Sequence, residues 1–167
     1  HDTRPRHRPT GAFGIYIGGS GIKGAPVDLL VGELSADRVR IPTPQPATPA
    51  AVAQTVAELV DSFQLDPALP IGVTFPAVIQ HGVARSAANV DDSWICTDVQ
   101  KVVAKATGRQ VLAVNDADAA GYAEAQYGAA RGKQGVVLVV TLGTGIGSCL
   151  VVDGTLGMGG HSEALLA

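Results

Sequence analysis

The chain has 167 residues, of which 46% are hydrophobic, and this is enough for one modest domain with its own core. A formal net charge of −3 argues against a nucleic-acid-binding surface, and the apolar runs are too short to span a bilayer. The two cysteines form neither a metal-ligand spacing nor a disulfide framework. These features predict a cytoplasmic protein with neither nucleic acid nor a membrane among its partners.

The first half of the chain combines short strands with a single helix. Thr48 and Pro49 are a hydroxyl N-cap followed by proline at the first helical position, which indicates where that helix begins. Apolar residues then recur at helical spacing. In chain order we predict a flexible tail (1–11), an antiparallel meander of three strands (13–17, 23–30 and 34–41), an extended proline-rich linker (42–49), this helix, and a strand (70–76).

The second half of the chain alternates helices with strands. Gly108 and Gly128 each follow a helix-like segment and are typical C-terminal stops. Gly121 lies among alanines in the middle of a predicted helix and indicates a close packing contact. In chain order we predict a hairpin or loop (77–86), a helix (97–107), a buried strand (111–114), a helix (117–127) and a new hairpin (135–142 and 146–152).

Glycine accounts for 21 of the 167 residues, well above its usual share of about 7%, and one glycine cluster forms a motif. Gly19-Ser20-Gly21-Ile22-Lys23-Gly24 matches G-x-G-x-x-G directly after a strand. A dinucleotide-binding fold requires a helix to begin there, so that the helix N-terminus can bind pyrophosphate. The residues that follow are strand-like and end at Gly32, which leaves no room for that helix.

The same turn occurs twice, because Gly19-Ser20-Gly21-Ile22 is repeated as Gly143-Thr144-Gly145-Ile146 between another pair of apolar strands. Glycines let backbone N–H groups approach an anion, and the serine or threonine adds a hydroxyl donor. Two such turns in duplicated halves of a fold suit a phosphate chain that is held from two sides. The alternative is a pair of ordinary hairpin turns, which is the commoner case for either turn alone.

A buried strand delivers Asn115 and Asp116 to the start of a helix. A carboxylate in that position could accept the proton of a substrate hydroxyl during phosphoryl transfer. The alternative is helix N-capping, which is the commoner role of Asn and Asp at a helix start.

Three other side chains each allow two interpretations. Trp94 is flanked by polar residues and could either stack on a sugar or close the core. Arg131 and Lys133 could contact an extended phosphate polymer, although a solvated loop is the commoner setting for such residues.

With these motifs placed, the sequence resembles the ROK family of sugar kinases over roughly residues 12–156, and within that family its branch of polyphosphate-using glucokinases. The segments that carry the resemblance are Ile17-Gly18-Gly19-Ser20 with Lys23, Gly72-Val73-Thr74-Phe75-Pro76, Asn89-Val90, Ser93-Trp94-Ile95, Thr97-Asp98, Val114-Asn115-Asp116-Ala117-Asp118-Ala119-Ala120-Gly121 and Thr141-Leu142-Gly143-Thr144-Gly145-Ile146-Gly147.

The resemblance implies an α/β fold of the actin-like, ribonuclease-H-like ATPase type. On that pattern, residues 12–134 form the N-terminal lobe, and residues 135–167 form the first hairpin of a truncated second lobe. The resemblance also implies phosphoryl transfer from inorganic polyphosphate or ATP to the 6-hydroxyl of glucose. It implies Mg²⁺ as cofactor and a homodimer as the assembly.

The resemblance also assigns roles to residues of the predicted site. Asp116 is expected to be the catalytic base, with Asn115 and Asn89 as sugar ligands. The expected phosphate-binding residues are Gly18, Gly19, Ser20, Lys23, Thr141, Gly143, Thr144 and Gly145.

Several residues depart from the family pattern. Tyr16 stands where the first loop of the family carries an Asp that helps to hold the metal and the donor phosphates, so no metal ligand is assigned in this chain. Cys96 stands where the family tends to have Gly. Residues 157–167 read GMGGHSEALLA in place of the family's Glu-Leu-Gly-His sugar-binding segment. The alternatives to an active kinase are therefore a non-catalytic sugar-binding or regulatory protein and an inactive kinase fragment.

Overall fold

A computed structural model describes residues 10–87, 89–142 and 146–157 of the chain. The elements in this part are β1 (Gly11–Ile17), β2 (Gly21–Asp28), β3 (Glu33–Leu34), β4 (Val39–Pro42), α1 (Pro49–Asp61), β5 (Ile71–Phe75), β6 (Ile79–Gln80), β7 (Val83–Ala84), a 3-10 turn (Asp92–Trp94), α2 (Val99–Thr107), β8 (Val111–Asn115), α3 (Asp116–Tyr127), β9 (Val136–Leu142), β10 (Ile146–Val152) and β11 (Thr155–Leu156).

The larger sheet has the strand order β3-β2-β1-β5-β8. β4 pairs directly with the first residues of β2, and β3 pairs with the last ones. β1 is antiparallel to β2 and parallel to β5, and β5 is parallel to β8. The three parallel strands therefore end at one edge of the sheet. The loops that follow them meet there, as do the first residues of α3.

The core lies between one face of this sheet and the two helices α1 and α2, which contact each other. Alternation along β1 turns Phe13, Ile15 and Ile17 to that face, where each is at most 2% exposed. The helical stripe predicted for α1 is confirmed, because Val52 and Val56 are fully buried in the same cluster. The core is mostly aliphatic, and burial of these side chains is the main favourable term for the fold.

Trp94 belongs to this core. Its side chain is fully buried, its indole N–H donates to the carbonyl of Ala47 at 2.8 Å, and its ring centroid lies 4.6 Å from that of Phe75. These contacts favour the core interpretation of Trp94 over sugar stacking.

The smaller sheet has the order β11-β10-β9 and packs against α3. Gly121 of α3 faces Cys149 of β10 so closely that a Cβ on Gly121 would lie 1.8 Å from the cysteine sulfur. The close contact predicted for Gly121 is therefore confirmed, and it joins α3 to this sheet.

The opposite face of the smaller sheet carries exposed apolar side chains. Alternate residues of β9 point there, and Leu138 and Leu142 are 57% and 81% exposed. Val136, Val140, Ile146, Leu150 and Val152 are also exposed. A row of this kind is typical of a surface that another layer of protein covers.

Several predicted boundaries were wrong. The strand predicted over 23–30 runs from Gly21 to Asp28. The strand predicted over 34–41 is two strands, because Pro26 of β2 has no N–H for a continuous ladder and its carbonyl instead accepts from Ser35. The second helix begins at Val99 rather than at residue 97, with the Asp98 side chain as its N-cap. The third begins at Asp116 rather than at residue 117 because Asn115 caps it.

The hairpin expected within 77–86 is present as β6 and β7, with His81 and Gly82 at positive φ in its turn. No helix in the described ranges is both long enough and apolar enough to cross a bilayer. The tail predicted for residues 1–11 lies outside the described residues up to residue 9, and β1 already includes Gly11.

Candidate active site

The face of the larger sheet opposite the core carries a cleft of about 480 Å³. Alternation places Gly14 and Tyr16 of β1 on this face, opposite Gly72 and Thr74 of β5. A Cβ on Gly72 would meet nothing within 4 Å, so the floor of the cleft is open. The cleft is lined by Gly14, Ile15, Tyr16, Lys23, Ala25, Val27, Leu34, Arg38, Gly72, Thr74, Asp116, Ala119 and Ala120.

Asp116 contributes the one carboxylate among these lining residues. It is the first residue of α3, directly after β8, and is half-buried. Its Oδ1 accepts a hydrogen bond from the N–H of Ala117 at 2.9 Å. A carboxylate held in this way at the wall of a cleft can accept a proton from a bound hydroxyl.

Asn115 has a structural role that competes with a role in binding. Its Oδ1 accepts from the N–H of Ala117 at 2.8 Å, and its Nδ2 donates to the carbonyl of Ala77 at 2.9 Å. The capping alternative is therefore confirmed for Asn115. One N–H and one oxygen lone pair of the amide remain for a ligand.

The first glycine turn, residues 18–20, is held through its carbonyl groups. The Thr43 hydroxyl donates to the Gly18 carbonyl at 2.6 Å, and the Gln45 amide donates to the Gly19 carbonyl at 3.2 Å. Arg40 donates to the Ser20 carbonyl at 2.9 Å.

The backbone N–H groups of the same turn, unlike its carbonyls, are mostly without a partner in the described residues. Gly18 donates its N–H to the carbonyl of Gly21 at 3.0 Å. Within the described ranges, the N–H groups of Gly19 and Ser20 have no hydrogen-bond partner. Unpaired N–H groups in a turn whose carbonyls are already engaged are suited to bind an anion.

Asn89 lies directly against this turn. A Cβ on Gly19 would be 2.7 Å from the Cβ of Asn89 and 2.8 Å from its carbonyl oxygen, so only glycine fits there. Asn89 itself is exposed and has φ of 60°. The structure thus brings Asn89 next to the first glycine turn, although the two are far apart in the sequence.

Tyr16, Lys23 and Thr74 lie side by side across the cleft face. Tyr16 pairs in register with Lys23 on one side and with Thr74 on the other. The Lys23 ammonium lies 5.5 Å from the centre of the Tyr16 ring, which is a cation–π distance. The Thr74 hydroxyl is buried and finds no hydrogen-bond partner in the described part of the chain.

The cleft offers a Mg²⁺ ion a single protein carboxylate. Mg²⁺ sites use one or two carboxylates together with substrate phosphates. Asp116 is the one carboxylate of the lining, Tyr16 offers a neutral phenol, and Lys23 beside it is a cation. Residues 10–87, 89–142 and 146–157 contain no group of three or more His, Cys, Asp or Glu side chains suited to a metal ion.

The second hairpin reaches the same helix start. A Cβ on Gly147 of β10 would lie 3.0 Å from the Cβ of Ala117 and 2.6 Å from the hydroxyl of Thr141, which it faces on β9. Thr141 is thereby placed beside the residue that follows Asp116. The predicted phosphate-binding residues Gly143, Thr144 and Gly145 lie outside the described residues.

The model of one protein family, described as the ROK family, matches residues 12–164 of the chain. The chain belongs to the ROK family. Polyphosphate glucokinase of Mycobacterium tuberculosis (strain ATCC 25618 / H37Rv) is 53% identical over 155 residues, which are 92% of this chain and 56% of that protein. Polyphosphate glucokinase of Mycobacterium leprae is 51% identical, and the match covers 92% of this chain and 46% of that protein.

Solved structures of ROK proteins share the fold. The inorganic polyphosphate/ATP-glucomannokinase of Arthrobacter sp. strain KM superposes with a TM-score of 0.83 at 54% identity, over 89% of this chain and 60% of that one. A ROK glucokinase of Streptomyces griseus, in complex with glucose and AMPPNP, gives a TM-score of 0.75 at 26% identity, over 92% of this chain and 49% of that one. The fold is therefore the actin-like α/β type of the ROK sugar kinases, as the family resemblance of the sequence implies.

The chain spans about half the length of the curated ROK relatives it matches. The site residues that sequence reasoning missed are Arg40, Thr43 and Gln45, which hold the carbonyls of the first glycine turn. Their proline-rich surroundings suggest a linker, and only the pairing of β4 with β2 brings them to the turn.

Proposed function

We propose that this chain carries the acceptor and first phosphate sites of a glucokinase that uses inorganic polyphosphate or ATP. The observation that carries the proposal is the combination of Asp116 at the wall of the cleft with unpaired N–H groups at Gly19 and Ser20. The polyphosphate glucokinases and the glucomannokinase named above support the choice of glucose and of polyphosphate.

The chemistry requires little besides positioning and charge stabilisation. The 6-hydroxyl oxygen of glucose attacks the terminal phosphorus of the donor, and the bridging P–O bond breaks. Asp116 accepts the hydroxyl proton, and the donor leaves one phosphoryl group shorter. Asn115 and Asn89 orient the sugar, and the turn at residues 18–20 holds donor phosphate through its N–H groups.

The first experiment measures binding, because a ligand that binds the native state raises its unfolding midpoint. We expect glucose at millimolar concentration to raise the thermal midpoint of the chain. A chain that gains stability from glucose, yet forms no glucose 6-phosphate with either donor, would instead fit the non-catalytic sugar-binding alternative.

The second experiment measures glucose 6-phosphate in a coupled assay, with polyphosphate or ATP as donor. We expect Asp116→Asn to lower the rate about 10²- to 10⁴-fold, the usual contribution of a general base. Asp98→Asn is the matched control, because Asp98 also starts a helix but lies on α2 and does not line the cleft. Equal activity of Asp116→Asn and the wild-type chain would rule out the base role.

A further inference from the structure

Four side chains form a row across the cleft face of the larger sheet. In register, Thr74 of β5 lies beside Tyr16 of β1, Tyr16 beside Lys23 of β2, and Lys23 beside Arg40 of β4. Directly paired residues share a face, so the row runs at right angles to the strands. Neighbouring strands are about 4.8 Å apart, which makes the row about 14 Å long.

The end of the row away from Asp116 is basic. Arg38 precedes β4 by one residue and lines the cleft together with Lys23 and Asp116. Lys23, Arg38 and Arg40 are here called the basic strip.

Arg40 also continues the strip to the first glycine turn. Its guanidinium lies over Gly21, where a Cβ would be 2.5 Å from Nε, and it donates to the carbonyl of Ser20. A guanidinium has five N–H donors, so most of them remain for a ligand.

The charges of the basic strip are not neutralised by the protein. In residues 10–87, 89–142 and 146–157, the ion pair found is that of Lys101 with Asp98 on α2, and no carboxylate pairs with the strip. Grouped like charges repel, and a polyanion that binds across them removes this repulsion. These cations can also balance the charge of donor phosphates in the cleft.

We propose that the basic strip binds the non-transferred part of an inorganic polyphosphate chain. The proposal rests on the proposed function, because the unpaired N–H groups of Gly19 and Ser20 would hold the phosphate nearest the sugar. The chain then extends from the turn, where Arg40 lies beside it, over Lys23 toward Arg38, and gains contacts as it lengthens. A short phosphate donor ends before it reaches Arg38, so the strip favours long chains.

The test is a calorimetric titration of the 167-residue chain with long-chain polyphosphate and with tripolyphosphate. EDTA is present throughout, so that no divalent cation can bridge protein and phosphate. The strip variant is Arg38→Gln. The matched control is Lys105→Gln, which removes the same charge from an exposed residue of α2, on the face of the sheet away from the cleft.

We expect the wild-type chain to bind the long polyphosphate more tightly than tripolyphosphate. The strip variant should lose about tenfold in affinity for the long chain and keep its affinity for tripolyphosphate within about twofold. Its slope of log affinity against log salt should fall by about 0.7, the value per cation for single-stranded nucleic acids. Arg40→Gln, beside the first glycine turn, should instead weaken binding of both phosphate donors.

Equal loss in the strip variant and the α2 control would overturn the proposal, because the effect would then be one of net charge. Equal affinity of the wild-type chain for long and short polyphosphate would also overturn it. If the chain binds glucose but gains nothing from long polyphosphate, the strip assignment fails and the glucokinase proposal stands. If it binds neither glucose nor any phosphate donor, both fail.

Discussion

The close contact between Gly121 and Cys149 holds α3 on the smaller sheet, and it lets us predict how much Gly121→Ala changes the free energy of unfolding. At an open helical position, Gly→Ala stabilises a protein by about 1 kcal/mol. Here the added Cβ would lie 1.8 Å from the sulfur, whereas ordinary contact begins at 3.4 Å. Overpacking of a buried site typically costs about 1–3 kcal/mol, and so large an overlap places Gly121→Ala at the upper end of that range.

The expected net destabilisation by Gly121→Ala is therefore about 2 kcal/mol, which lowers the thermal midpoint by about 4–8 °C in a chain of this size. Cys149→Ala alone loses a small buried side chain and should cost about 1 kcal/mol. In the double variant the new methyl group fills the space of the lost sulfur. We expect that variant to lie within about 1 kcal/mol of the wild-type chain, a coupling of about 2 kcal/mol.

Thermal unfolding followed by circular dichroism measures all four proteins of this cycle. Gly72→Ala is the matched control, since its added Cβ meets nothing within 4 Å and should change stability by no more than about 0.5 kcal/mol. A Gly121→Ala chain that is as stable as wild type, or single effects that simply add in the double variant, would show that α3 and β10 are not in this close contact.

Three further predictions concern the cysteines and Tyr16. Burial first, and then the charge of Asp118, raise the pKa of the Cys149 thiol, while a backbone hydrogen bond of Gly121 opposes them. Thiol alkylation at neutral pH should therefore modify exposed Cys96 quickly and Cys149 only on unfolding. The folded chain therefore keeps the Cys149 proton at a pH where the unfolded chain has already lost it. The free energy of unfolding should fall as the pH rises above the ordinary pKa of a thiol, and Cys149→Ala should remove this pH dependence. Tyr16→Asp supplies the carboxylate that the family pattern carries, and glucose 6-phosphate formation should rise about tenfold or more; an unchanged rate would show that Tyr16 does not limit activity.

Local signals in the sequence predicted most of the elements. The helical stripe behind Thr48, the strand that ends at Asn115 and the close contact at Gly121 all depend on residues near one another in the chain. Such patterns reflect burial on one face of an element, and that can be recognised without knowing the partner. The partner of Gly121 could not be predicted, because Cys149 lies on a strand formed later in the chain.

The environment of the first glycine turn could not be predicted for the same reason. Thr43 and Gln45 have no special pattern of their own, and their proline-rich segment is typical of a linker. They reach the carbonyls of Gly18 and Gly19 only because β4 adds to the edge of β2. The pairing of β4 with β2 depends on the interruption of the hydrogen-bond ladder at Pro26. The alternation of apolar residues along the sequence does not reveal that interruption.

The position of Asp116 depends on contacts at the far end of α3. The positions of the basic-strip residues do not depend on those contacts. The hydroxyl of Tyr127, the last residue of α3, donates to the carbonyl of Leu29, and its ring fills the space beside Gly32. With Gly121 packed on Cys149, α3 is held both by the turn after β2 and by the smaller sheet. The strip lies on β2 and around β4, whose pairing does not involve α3. A variant that shifts α3 should therefore slow phosphoryl transfer while polyphosphate affinity stays unchanged, because it moves Asp116, the proposed base, and leaves the cations of the basic strip where they are.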